Sequence, residues 1–587
     1  MCIDMNGMRG DFFRSFKGLR QGDPLSPLLF NLVADALSAM LTRAASAGLI
    51  QGLVPYLVAG GITHLQYADD TILLLQFSVE NLTNIRRILA CYETMSGMKI
   101  NFDKSEVFTV GLSVEDQQQA ALILGCKACS FPMTYLGMPV SFCKISKNQL
   151  RYVSDKAEKR LSTWQCDYLS TGGRSILIES CLSSIPMYTM GVYELCEGNY
   201  QMLDSIRSRF YWQGTGKKRK YHMVKWEALS RPKEFGGLGF LDVRVMNICL
   251  LAKWIAKLET GDSSLCCSLL RQKYLGQKSI YQLRRKTGSQ FWRSLLGMRD
   301  WFQRGRKIEI KAGVQTRFWL DGWLGECPLK VSFFKLFQIA SDQNLEVSKA
   351  CVQGQWEISF RRQLDDSQRQ EWAELLEILN EVQLTEGVDK MVWALEKSGQ
   401  YTTRSLYKSL TTGGMTDARA MLIWKSPIPL KVKNFMWMAN HDRIQCGVQL
   451  KKKKLTGSEK CLVCEVYETS DHILFQCPLV VLLWSFLRDC LGWPSSPTSC
   501  SSLLLEIVDQ YRGNKQLLTI FICAGALWSI WKTRNELVFD KKVVSSPSTL
   551  IYKALLLAKS WRPLLKPKMM PMADGMLNNI SSRVASM

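Results

Sequence analysis

Two aspartates stand side by side, Asp69 and Asp70, in His64-Leu-Gln-Tyr-Ala-Asp-Asp-Thr-Ile-Leu-Leu-Leu75. Adjacent carboxylates repel each other, so a fold that holds them together commonly brings a cation to them. Hard divalent ions such as Mg²⁺ take oxygen ligands and keep waters or substrate phosphates in the rest of their shell. The chemistry on offer is metal-assisted phosphoryl transfer, in which ions clamp the attacking and leaving oxygens. An Asp-Asp pair alone is more often a solvated acidic turn, and its neighbours must decide between the two. A second set of chemical residues lies far downstream: Cys461, Cys464, His472 and Cys477, spaced C-x2-C-x7-H-x4-C. Three thiolates and one imidazole suit tetrahedral Zn²⁺ with no open position, a structural rather than a catalytic site. Cys-x-x-Cys alone could be coincidence among 20 cysteines; the histidine and third cysteine at short spacing weigh against it.

The acids need a support that presents them. Apolar residues lead into the pair and a β-branched, leucine-rich run leads out, which predicts strand, tight turn, strand. Upstream, Gly18-Leu-Arg-Gln-Gly-Asp-Pro-Leu-Ser-Pro-Leu-Leu-Phe30 opens with a loop whose Gly18 and Gly22 tolerate close backbone approach. Ser26 as N-cap, with Pro27 at the first helical position, predicts a helix. Its stripe of Leu29, Leu32, Val33, Ala36, Leu37, Met40 and Leu41 would pack beneath the sheet. Asp23 and Asp35 read as structural. Ser78 predicts the cap of a further helix carrying Leu82, Ile85, Ile88, Leu89, Tyr92 and Met95, ended by Gly97.

With Gly97-Met-Lys-Ile-Asn-Phe-Asp-Lys-Ser105 added, the motifs in this order and spacing resemble the reverse transcriptases of non-LTR (LINE-type) retrotransposons, in particular those of plants. The likeness continues through Tyr135-Leu-Gly-Met-Pro-Val-Ser141 and Trp164 to Ser175 as far as the Cys/His cluster, so it covers most of the chain. It implies an α+β fold: a truncated right-hand polymerase palm, a helical thumb or connector, and a small Cys/His zinc module in a mainly helical C-terminal part. The expected divisions are a partial palm at 1–145, thumb and connector at 146–395, and the zinc-binding domain at 396–492. A linker, an apolar helix and a disordered Met- and Ser-rich tail would fill 493–587.

The resemblance also implies roles. Asp69 and Asp70 would hold Mg²⁺, and Lys104 would protonate the leaving pyrophosphate or balance phosphate charge. Arg20, Gln21 and Gly22 would lie by template and incoming nucleotide, and Tyr67 against the primer terminus or nucleotide. Tyr135 to Ser141 would grip the primer strand. RNA template, DNA primer and dNTP would be the partners of an RNA-directed DNA polymerase. One departure matters. The family has a further Asp-x-x-x-Ala-Phe-Asp motif several tens of residues before the position of Gly18, and residues 1–17 hold nothing like it. Asp4 and Asp11 sit too close to Gly18 to replace it. The expectation is therefore a palm without fingers or first catalytic aspartate, inactive as this chain. The alternative is a non-catalytic nucleic-acid-binding remnant using its basic surface and zinc module.

Bulk properties agree. Over 587 residues, 75 Lys+Arg against 52 Asp+Glu leave a net charge of +23, which points to a polyanionic partner. Basic clusters stand at Lys217–Lys220 and Lys451–Lys454. A 47% apolar fraction excludes general disorder. Scattered cysteines predict a reducing compartment, nucleus or cytoplasm. Met1-Cys-Ile-Asp-Met-Asn lacks the basic and apolar regions of a signal peptide. The run Leu517–Trp531 is short of the ~20 residues a membrane span needs, so a buried helix and no membrane are expected. Trp292, Trp301, Trp319 and Trp323 read as core anchors. Glu234-Phe-Gly-Gly-Leu-Gly-Phe240 lacks the Lys-Ser/Thr of a phosphate loop. His64, His222 and His441 have no ligand partners in sequence.

Overall fold

Asp23 starts the first long helix. In the computed structural model its carboxylate accepts the Leu25 N–H at 2.9 Å and its carbonyl accepts the Ser26 N–H at 3.1 Å. Helix α1 (Leu25–Ser46) therefore begins at Pro24, ahead of the expected Ser26 cap, and Pro27 falls in the first turn, where a missing N–H breaks no helical bond. The structure describes residues 2–14, 22–58, 60–162, 169–213, 221–276, 278–283, 287–453, 458–544 and 546–586. The chain forms two units: Met1–Ile145 with Gly261–Ser279, and Ser146–Thr260 with Ile280–Met587. Gly261–Ser279, placed by sequence in the thumb and connector, thus groups with the first unit.

In the first unit, β1 (His64–Tyr67) and β2 (Asp70–Leu73) form an antiparallel hairpin. Helix α2 (Val79–Ser96) follows. The Ser78 hydroxyl accepts the Asn81 N–H, and Gly97 closes the helix at φ 71°, as predicted. Next, β3 (Glu106–Phe108), α3 (Val114–Leu124) and β4 (Lys127–Cys129) make a small crossover whose strands pair in parallel. The last hairpin is β5 (Met133–Tyr135) with β6 (Met138–Val140). Its two loop residues, Leu136 and Gly137, both have positive φ, as a tight I′ hairpin turn demands.

The core of this unit joins Leu37, Leu41 and Ala44 of α1 to Ile85, Leu89 and Tyr92 of α2. Its buried members on α1 all lie in the second half of the helix, with Val33 packing at its margin. Leu29 and Leu32, expected to pack under the sheet, are exposed, and so is Met95 on α2. Among the described residues every sheet is two-stranded, so no broad sheet stretches over the N-terminal half of α1 to cover it.

The second unit is mainly helical; among the described residues its longest strand pair is β7 (Arg306–Glu309) with β8 (Lys390–Trp393), and a two-residue hairpin joins Cys351–Val352 to Gln355–Trp356. Trp292, Trp319 and Trp323 are buried as anchors, whereas Trp301 is partly exposed, its ring covered by the Arg304 guanidinium at 5.2 Å. The glycine-rich segment at 234–240 is a packing device. Gly236 carbonyl accepts the indole N–H of Trp437 at 2.7 Å, and Trp437 lies on α4 (Leu430–Asn440). A Cβ on Gly237 would fall 1.9 Å from the Arg231 carbonyl oxygen.

The C-terminal core gathers α5 (Pro478–Leu491), α6 (Gly513–Phe539), α7 (Ser548–Trp561) and α8 (Met570–Ala585). The tail expected to be disordered is therefore folded. Its composition hides a helical stripe, Ala573, Leu577, Ile580 and Val584, which is buried in that core. Among the described residues two helices, α1 and α6, are long and apolar enough to cross a membrane; 72% of the apolar window of α6 is buried inside the protein.

Candidate metal centres

The β1–β2 register pairs His64 with Leu73, Leu65 with Ile72, Gln66 with Thr71 and Tyr67 with Asp70. Directly opposed residues share a face. One face turns toward α1: the His64 ring meets the Ser38 hydroxyl at 2.8 Å, Gln66 donates to the Ala34 carbonyl, and Leu73 packs on the core. The other face carries Leu65, Tyr67 and Asp70, all exposed. Ala68 and Asp69 make the turn, and Ala68 bears φ 52°, a conformation few side-chain-bearing residues adopt. Local strain of this kind gathers at functional sites.

Asp69 and Asp70 are exposed, and neither has an ion-pair partner among the described residues. They fit a hard cation in number, since Mg²⁺ is held by one or two carboxylates when waters and substrate phosphates complete its shell. Among the described residues no third acidic, His or Cys side chain joins them as a metal-holding group. Lys104 lies exposed in a turn closed by Asn101, whose side chain accepts the Lys104 N–H at 3.1 Å. Gly22 takes φ 88°, which explains a glycine there. Arg20, Gln21, Lys217–Lys220 and Lys454 lie outside the described residues. Burial lowers the pKa of His64.

The four zinc candidates do come together. Their ligand atoms all lie within 4.8 Å of one another, with Cys461 Sγ to Cys477 Sγ at 3.9 Å and Cys464 Sγ to His472 Nε2 at 3.2 Å. A tetrahedron with Zn–S bonds of about 2.3 Å has edges of roughly 3.7 Å, so the donor set fits the ion. Two local devices build it. A short ribbon holds the first pair: Cys461 N–H donates to the Val466 carbonyl, Glu465 N–H donates to the Cys461 carbonyl, and Glu465 turns the chain at φ 59°. The second pair flanks a π-helical turn, His472–Gln476, in which Cys477 N–H donates back to the His472 carbonyl at 2.8 Å. Such turns are frequent at functional sites. Burial lowers the His472 pKa and, with the neighbouring cysteines, pushes Cys477 up to about 12, so a cation is what would hold the Cys477 thiol ionised.

Spacing gave no sign of the group that braces this centre. Glu468, buried between Cys464 and His472 in the chain, accepts from Arg534 of α6 at 2.9 and 2.6 Å and from the Gly447 N–H. Arg534 is 66 residues away, beyond any local pattern. The other histidines are engaged elsewhere: His222 with the Ser208 hydroxyl, His441 with the Gly236 carbonyl.

Comparison with known proteins adds two family matches. The family described as reverse transcriptase (RNA-dependent DNA polymerase) matches residues 1–140, and that described as zinc-binding in reverse transcriptase matches residues 401–484. The chain is 28% identical over 418 residues to an Arabidopsis thaliana protein named as a ribonuclease H protein, covering 69% of this chain and 66% of that one. It is 34% identical over 149 residues to an uncharacterized mitochondrial protein of Arabidopsis thaliana, 25% of this chain and 97% of the relative. The Pol polyprotein of the type-2 retrotransposable element R2DM of Drosophila melanogaster is 31% identical over 122 residues, 21% of this chain and 10% of the polyprotein.

Proposed function

The chain belongs to the reverse transcriptases of non-LTR retrotransposons, and from that premise we propose that its first unit carries the metal-binding turn of a LINE-type RNA-directed DNA polymerase. The reaction joins a primer 3′-hydroxyl to the α-phosphorus of a dNTP; the bond to pyrophosphate breaks and the hydroxyl proton is lost. RNA template, DNA primer and dNTP are the partners in this reading.

The observation that carries it is the β1–β2 hairpin, which presents two carboxylates at its tip and Tyr67 beside Asp70 on the face turned away from α1. Asp69 and Asp70 would hold Mg²⁺, which when bound supplies charge neutralisation on the phosphates. Tyr67 offers a ring to the primer terminus or nucleotide. Arg20, Gln21 and Gly22 would accommodate template and nucleotide, with Gly22 allowing close backbone approach. Lys104 gives a proton to the leaving pyrophosphate or balances its charge. The zinc module is structural, with Cys461, Cys464, His472 and Cys477 as ligands, and works in a reducing compartment, nucleus or cytoplasm.

Primer extension on poly(rA)/oligo(dT) with Mg²⁺ tests the proposal: synthesis that Asp69→Asn abolishes supports it. A second reading, a nucleic-acid-binding remnant that uses its basic surface and zinc module, is favoured by the net charge of +23. Salt-dependent RNA binding that survives Asp69→Asn, without synthesis from the unsubstituted chain, would select it.

A further inference from the structure

The ribbon that holds Cys461 also sets two other side chains next to each other on the outside of the protein. Cys461 N–H donates to the Val466 carbonyl at 2.8 Å and Glu468 N–H donates to the Glu459 carbonyl at 2.7 Å. Lys460 and Tyr467 lie between these bonds as an antiparallel bridge. That pattern makes them a non-hydrogen-bonded pair, the cross-strand geometry in which side chains approach most closely. Both are exposed, Tyr467 to 62%.

The ribbon is held at two points although its tyrosine is exposed. Cys461 and Cys464 anchor one end in the metal cluster, and Glu468, the residue after Tyr467, is buried against Arg534. Packing does not explain the ring, which most of its surface leaves open. Leu462, Val463 and Val466 are exposed as well. Lys451 and Lys452 are exposed on the preceding helix, and among the described residues of 451–467 four lysines stand against two carboxylates. One of those carboxylates, Glu459, sits 3.8 Å from Lys451.

We propose that Tyr467, with Lys460 beside it, is a stacking platform for a base of single-stranded nucleic acid, its phosphates paired by the surrounding lysines. An aromatic face takes any unpaired base, and cations along its edge follow the backbone. The charge excess selects a polyanion over a neutral protein surface. A duplex, whose bases are already stacked, cannot use the ring. The proposal rests on the nucleic-acid partner in the reading above, but not on polymerisation.

Binding of the full-length, zinc-loaded chain to labelled 20-nucleotide oligo(U), oligo(dT) and a duplex of the same length tests it by fluorescence anisotropy, without dNTP. Tyr467→Ala is expected to weaken single-strand binding roughly tenfold, with duplex binding and zinc content unchanged. Tyr467→Phe should retain binding, since the ring does the stacking. Lys460→Gln should reduce the slope of log K against log salt for the single strands by about 0.7. A preference between oligo(U) and oligo(dT) that Tyr467→Ala leaves intact assigns that preference to other residues while the loss in both supports the platform. Wild-type affinity in Tyr467→Ala with zinc retained overturns the proposal, as does an equal loss in Tyr467→Phe. Loss of binding to a protein partner with single-strand binding unchanged would make the surface a protein interface and also overturn it. Absence of primer extension bears on the polymerase reading alone.

Discussion

Tyr67 and Asp70 face each other as the closing pair of the β1–β2 hairpin, with only Ala68 and Asp69 between them. A two-residue turn in a right-twisted ribbon demands positive φ at its first central position in the II′ form, which normally selects glycine. Ala68 meets the demand at φ 52°.

Ala68 therefore predicts an ordered series. A glycine there suits the backbone, whereas a β-branched side chain at positive φ is strained. Ala68→Val should be less stable than Ala68→Gly by about 1–3 kcal/mol, read from urea unfolding of the full chain. Equal stability of the two variants would remove strain from the account of this turn.

The zinc centre predicts stoichiometry. Chain purified without chelators should carry close to one Zn per molecule, and Cys461→Ser with Cys464→Ser should carry almost none. Because the cluster ties the 459–468 ribbon to the turn before α5, metal loss should also open this region to protease before the first unit is affected. Elemental analysis finding no zinc in the wild-type protein would sink this reading.

Legibility in the sequence followed the range of the signal. Ser78, Gly97 and the strand-turn-strand around Asp69 are local patterns, each decided within a few residues, and the structure forms them as read. The Cys/His cluster was equally plain, because ligand chemistry restricts both residue type and spacing. Burial was less legible. Leu29 and Leu32 carry a faultless helical stripe yet stay exposed, since periodicity names the face that could be buried and not what covers it. In the tail, Met and Ser masked the stripe of Ala573, Leu577, Ile580 and Val584, which α7 and the neighbouring core stabilise from outside the segment. Helix starts depended on which residue reached the free N–H groups first: Asp23 pre-empted Ser26.

His64 predicts a pH dependence. Its ring nitrogens meet the hydroxyls of Ser38 and Thr63 at 2.8 and 2.9 Å, and burial lowers its pKa below the ordinary 6.5. The unfolded chain then takes up a proton at a higher pH than the folded one. Stability from this group is complete above the unfolded value and is lost as pH falls through the lowered folded value. The urea midpoint of the first unit should fall from about pH 7.5 to about pH 5.5 more steeply in wild type than in His64→Gln. A steeper fall in the variant contradicts the assignment.

Glu468 and Arg534 supply the sharpest test of how the zinc module is held. Their side chains are only 5% and 12% exposed, and the contact is bidentate, at 2.9 and 2.6 Å. Removing either partner leaves a buried charge alone, which costs about 3–5 kcal/mol. Glu468→Ala also strips the Gly447 N–H of its acceptor, and Gly447 has no room to adjust, since a Cβ there would lie 2.6 Å from the Ser458 carbonyl oxygen. Glu468→Ala should thus be the more damaging single change and should weaken zinc retention, whereas Arg534→Met should spare the Gly447 bond. Combining them removes both charges at once. The double variant should be less destabilised than the two single losses summed, by at least about 1 kcal/mol. Strict additivity in that cycle would mean the pair is solvated in solution, and the brace between α6 and the zinc loop would have to be sought in apolar packing instead.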